Sequence, residues 1–197
     1  MAKKRRAPKY EFKPDRKQYN ILKKLYITQL QRKQYLKWGL LAMLTVLMMV
    51  IQDVMLSQIR ISGATTDLAI CAILLIGLYE GTENGSLFVL LMSTFYHFSG
   101  SSPGPLTIAV ATTLTIGFNL VRQMLWRRSF GSTMLCAAGA VLTYEMIIFL
   151  TGIFSGYTIW ARAGVFFLTG VMTCVMLLPL YPLVRAISKI GGDTWKE

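Results

Sequence analysis

The sequence predicts an all-α fold: a polytopic integral membrane bundle of about six transmembrane helices, with N- and C-termini cytoplasmic. Three observations carry that reading. Of 197 residues, 54% are hydrophobic and only 15% are charged, against about 25% charged in an ordinary soluble domain. The charge is also lopsided. Residues 1–37 hold 13 Lys/Arg and 2 Asp/Glu, whereas residues 38–197 hold 8 basic and 7 acidic residues. A basic arm therefore precedes a nearly neutral, lipid-soluble body. Finally, the body divides into successive apolar runs separated by short polar breaks, each near the length that crosses a hydrocarbon core.

Residues 1–19 are polar, charged and interrupted by Pro8 and Pro14, which predicts disorder. Residues 20–37 follow as a basic amphipathic juxtamembrane helix, with Ile21, Leu22, Leu25, Tyr26 and Leu30 at helical spacing. Such a helix lies on the cytoplasmic membrane face; the same residues equally suit a helix continuing into the first span. Lys3, Lys4, Arg5, Arg6, Lys23, Lys24, Arg32 and Lys33 form a cationic surface for anionic lipid or an acidic partner. A nucleic-acid role is set aside because the arm abuts a membrane span. The first long apolar run begins near Trp38, too far in and too long for a cleavable signal, so it reads as an uncleaved span.

The transmembrane domain covers residues 38–185, with spans at 38–56, 64–79, 85–98, 105–126, 130–154 and 163–184, and a cytoplasmic tail at 186–197. The second and third spans are short, which suits helices buried among neighbours, or one re-entrant segment and five true spans. With the N-terminus inside, 19 Lys/Arg fall on the cytoplasmic side and 2, Arg60 and Arg162, on the other, as the positive-inside bias requires. Between the third and fourth spans, "SGSSPGP" (99–105) reads as a tight external hairpin. Its glycines permit unusual backbone angles, and Pro105 suits the first turn of the next helix.

Carboxylates in or beside spans need a partner, water or a proton. Asp53 and Asp67 flank Arg60, which is placed to serve either. Glu80, at the inner end of the second span, is expected to be solvated. Glu145 lies within the fifth span, where it either acts as packing glue, being protonated, bonding Asn119 or pairing with Arg60 or Arg162, or forms a functional polar site. Ser132, Cys136 and Ala140 recur every fourth residue, a spacing that lets helices approach closely. Cys71, Cys136 and Cys174 are far apart and sit in apolar runs, so they predict neither a disulfide framework nor a metal site. No HExxH, GxSxG, P-loop or GxGxxG motif occurs. His97, the single histidine, has serines nearby (Ser93, Ser99, Ser101, Ser102) but no acidic residue close in sequence to orient it. It reads as a wet interfacial ring, and neither an enzyme nor a cofactor is expected.

Three stretches resemble the MreD family of rod shape-determining membrane proteins. "ATTDLAICAILLIGLYEG" is similar to the family's aspartate-leucine run, with Asp67 at the aspartate. "YHFSGSSPGPLTIAV" is similar to its D-x-x-x-G-x-x-x-G segment, with Gly100 and Gly104 correctly spaced and Tyr96 where aspartate is typical. "LLPLYPLVRAISKI" resembles the proline-containing last span and its basic exit. The resemblance implies a non-enzymatic, multi-pass subunit of the bacterial plasma membrane that helps position sidewall peptidoglycan synthesis. It implies MreC, MreB, RodA and a class B penicillin-binding protein as partners. The hydropathy also suits the substrate-binding subunit of an energy-coupling-factor vitamin transporter, for which Glu145, Asn119, His97 and Tyr144 would line an enclosed polar pocket. A stand-alone channel is disfavoured by the lack of a charged pore ring.

Overall fold

Apolar runs this long become helices because a helix pairs its own backbone N–H and C=O groups where no water can. The computed structural model describes residues 29–58, 63–125 and 130–190. Within them lie α1 (Gln29–Val54), α2 (Leu68–Glu80), α3 (Thr82–Phe98), α4 (Leu106–Leu125), α5 (Phe130–Phe154) and α6 (Ala163–Ile190), with 3-10 turns at Leu56–Gln58 and Trp160–Arg162. Among the described residues there is no β-strand. Three stretches are long and apolar enough to cross a membrane: Arg32–Val54, Phe130–Phe154 and Trp160–Ile190. The chain is an all-helical protein with the make-up of a membrane protein.

The helix bounds follow the apolar runs, with departures that have local causes. α5 coincides with the expected fifth span. α1 runs unbroken through residue 37, so the described part of the expected juxtamembrane helix is continuous with the first span; residues 20–28, the basic arm and the tail beyond Ile190 lie outside the described residues. α2 starts at Leu68 rather than Ala64 because Asp67 caps it. α6 continues past Val184 to Ile190, with Pro179 and Pro182 inside it.

α2 is the axis of the molecule. Its sequence, LAICAILLIGLYE, has no polar face, and a helix apolar all round belongs inside. Twelve of its 13 residues are buried, and it touches all five other helices. At 1.5 Å per residue it is about 20 Å long, shorter than the roughly 30 Å hydrocarbon core; its neighbours, not lipid, surround it.

Only Gly81 separates α2 from α3, at φ +92 and ψ −176, a backbone region essentially confined to glycine. Close contact follows. A Cβ on Gly85 would land on the Gly77 carbonyl oxygen, and one on Gly77 would strike Val89 and lie 2.9 Å from Thr115 Cγ2. Ser132, Cys136 and Ala140 are all buried, so the small-residue face of α5 is used within the molecule. Gly139 beside it meets Phe118 of α4, where an added Cβ would lie 2.8 Å from the ring.

Candidate functional site

The N-terminus of α2 ends inside the bundle, so its unpaired N–H groups need local acceptors. Three side chains supply them. The Asp67 N–H donates to Thr173 Oγ1 of α6 (3.1 Å), the Ala69 N–H to Gln52 Oε1 of α1 (2.7 Å), and the Ile70 N–H to Asp67 Oδ1 (3.1 Å). Asp67 is thus an N-cap, and its negative charge sits at the positive end of the helix dipole. Tyr96, fully buried near the end of α3, brings its hydroxyl within 3.1 and 3.2 Å of the two Asp67 oxygens. Gln52 Nε2 donates to that same hydroxyl at 3.2 Å. One relay, Gln52 to Tyr96 to Asp67, therefore joins α1, α3 and α2.

The 99–105 hairpin closes over this cluster. Gly100 and Gly104 have φ of +79 and +153, so the expected glycine-dependent turn is present. Ser101 Oγ donates to Asp53 at 2.7–2.8 Å, pinning the hairpin to the end of α1. Asp53 and Asp67 thus meet Ser101 and Tyr96; Arg60, their expected partner, lies outside the described residues. His97, half-buried, places Nδ1 3.0 Å from Ser102 Oγ within the same hairpin.

At the other end of α2 the expectation for Glu80 is overturned. Glu80 is 4% exposed and paired with Lys37, itself 3% exposed, at 2.5 Å. Ser188 donates to its second oxygen at 2.7 Å. α1, α2 and α6 converge there, which buries a carboxylate that its sequence neighbours alone would leave in water. Lys37, Ser188, Gln52, Tyr96 and Thr173 are contributors that the sequence reading did not assign to a polar site. Arg32 and Lys33 are exposed on the first turns of α1.

Glu145 sits apart from both clusters. Asn119 does not reach it: Asn119 Nδ2 donates instead to the Gly77 carbonyl at 3.1 Å. Among the described residues no ion pair joins Arg162 to it either. Glu145 instead lines a half-open cavity of about 520 Å³ between α5 and α6, with Leu142, Met146, Phe149, Trp160 and Phe166 among its walls. Tyr144 faces elsewhere, 3.5 Å from Thr107 Oγ1. Neither Tyr144, Asn119 nor His97 lines this cavity, so the four residues expected to share a pocket do not share this one. Among the described residues no three His, Cys, Asp or Glu side chains gather as metal ligands.

No family model, curated protein or solved structure matches the chain.

Proposed function

We propose that this protein is a non-enzymatic, multi-pass subunit of a bacterial cell-elongation complex, similar in role to the MreD family, that helps position sidewall peptidoglycan synthesis. The observation that carries the reading is the Tyr96–Asp67 contact. Two of the three stretches that resemble the family's short motifs meet: Asp67 of the first and Tyr96 of the second, 29 residues apart, hydrogen-bond to each other beneath the Gly100–Gly104 hairpin. Motifs that meet in space are better support than motifs that merely occur in one chain. On this reading all six helices cross or fill the plasma membrane, both termini are cytoplasmic and the hairpin faces outward. MreC, MreB, RodA and a class B penicillin-binding protein are the partners, and the basic arm adds a contact with anionic lipid or an acidic cytoskeletal surface.

Depletion in the native host tests the reading. Rod cells are expected to widen and round, and the tagged protein is expected to copurify with an MreC-type partner. Unchanged rod shape together with no such partner would sink it. Deleting residues 1–19 examines the arm alone: unaltered membrane attachment and cell width would remove its assigned role. The transporter alternative predicts nanomolar vitamin binding by the purified protein. The groove at Glu145 lends it little weight, being walled mainly by apolar and aromatic side chains.

A further inference from the structure

A buried carboxyl normally meets a hydrogen-bond donor or a cation, because an uncompensated one is costly away from water. Glu145 is 8% exposed, and among the described residues no hydrogen bond or ion pair is made to it. The other carboxylates in the bundle interior show how this chain usually solves the problem: Asp67 meets Tyr96 and the Ile70 N–H, and Glu80 meets Lys37 and Ser188. Glu145 alone is turned to a cavity instead.

The cavity's size and walls say what would complete it. About 520 Å³ lies within the range of small-molecule pockets, which are mostly apolar with few polar groups. The apolar wall comes from Leu142, Met146 and an aromatic cluster: the Phe149 ring centroid is 5.8 Å from that of Trp160 and 5.0 Å from that of Phe166. Thr143, also in the wall, donates its hydroxyl to the Gly139 carbonyl at 2.7 Å, and Glu145 is the one ionisable group among the lining residues. A carboxylate attracts a cation, and aromatic faces do the same. Gly170 opposite keeps the space open: a Cβ there would lie 3.1 Å from Leu142 and 3.6 Å from Glu145 Cγ.

We infer that the α5–α6 groove is a binding site for a hydrophobic amine, its ammonium group on Glu145 and its apolar body against Phe149, Trp160 and Phe166. This site is independent of the role proposed above. The amine has two possible sources, a free amphiphilic amine or the headgroup of an aminophospholipid, and the two share the same chemistry. Glu145 lies nine residues from the end of α5, about 13 Å along the helix.

The test uses the full-length protein in nanodiscs, titrated with n-hexylamine and with the uncharged n-hexanol, and read by calorimetry. Saturable hexylamine binding is expected, weakened at least tenfold by Glu145→Gln, with hexanol binding weaker and equal in both proteins. Ala163→Phe, which fills the groove and keeps the carboxyl, should also abolish binding; it carries the test should Glu145→Gln fail to fold. Repeating the titration in phosphatidylglycerol discs with and without phosphatidylethanolamine separates the sources: competition by the aminophospholipid assigns the headgroup, and its absence assigns a free amine. No saturable hexylamine binding, or binding that Glu145→Gln and Ala163→Phe leave unchanged, would overturn the inference.

Discussion

Lys37 and Glu80 are 43 residues apart and almost wholly withdrawn from solvent. A pair buried this deeply is weak evidence of net stability, because desolvating two charges offsets much of their attraction. Its asymmetry is the informative property. Removing one partner strands the other charge among apolar helices, which costs about 3–5 kcal/mol, whereas replacing both with apolar residues of similar size is close to neutral. Lys37→Met is therefore expected to destabilise the protein strongly, and Lys37→Met with Glu80→Met to recover most of the loss. Chemical denaturation in detergent micelles, run as a double-mutant cycle, measures the coupling. A single-mutant cost below about 1 kcal/mol, the range of solvated pairs, would mean that water or lipid headgroups already reach Glu80. The Glu145 carboxyl poses the opposite case, a buried acid with no hydrogen bond or ion pair among the described residues.

The α2–α3 hairpin shows how much glycine placement matters to an element. A single residue, Gly81, turns the chain, and the two helices then lie so close that the Gly77 carbonyl occupies the place of a Gly85 side chain. Backbone cannot step aside as a flexible side chain can. Gly85→Ala is thus expected to cost roughly 1–3 kcal/mol or more, the range for overpacking. Gly117, in the middle of α4 with nothing within 4 Å of a built Cβ, is the matched control. Gly117→Ala should be neutral or stabilise by about 0.5–1 kcal/mol through its gain in helix propensity; the same denaturation assay ranks the two. Destabilisation by both variants alike would show that helix flexibility, not close approach, is what these glycines supply. The elements themselves were legible in sequence because hydrophobic length and turn residues act locally: α5 begins and ends where its apolar run does, and the shortness of α2 suited either a helix buried among its neighbours or a re-entrant segment. The polar clusters were less legible. Asp67 was marked as noteworthy, but the groups around it come from three other helices: Tyr96 donates to its carboxylate, Thr173 accepts from its N–H, and Gln52 accepts from the Ala69 N–H. Glu80 looked solvated because its partners, Lys37 and Ser188, stand 43 and 108 residues away. Nothing local encodes such pairings; packing does.

Across the whole molecule, α2 is held at both ends by polar clusters of different kind. At its N-terminus, backbone donors and a tyrosine hydroxyl surround Asp67; at its C-terminus, a lysine neutralises Glu80. The lysine end lies with the basic starts of the chain, Arg32 and Lys33 on α1, and with Arg185 and Lys189 late in α6. Gathering cations at one end of a helical bundle sets its orientation in a membrane, since basic segments are retained on the cytoplasmic side. The Asp67 end and its glycine hairpin should therefore face outward, and the α2–α3 turn inward. Two exposed positions report on this, Pro103 in the hairpin and Asn84 in the first turn of α3. In a background with Cys71, Cys136 and Cys174 changed to alanine, Pro103→Cys should react with a membrane-impermeant maleimide in intact spheroplasts. Asn84→Cys should react only after lysis. The converse labelling pattern would invert the molecule, and labelling of both positions from outside would remove α3 from the membrane-crossing set and leave five spans.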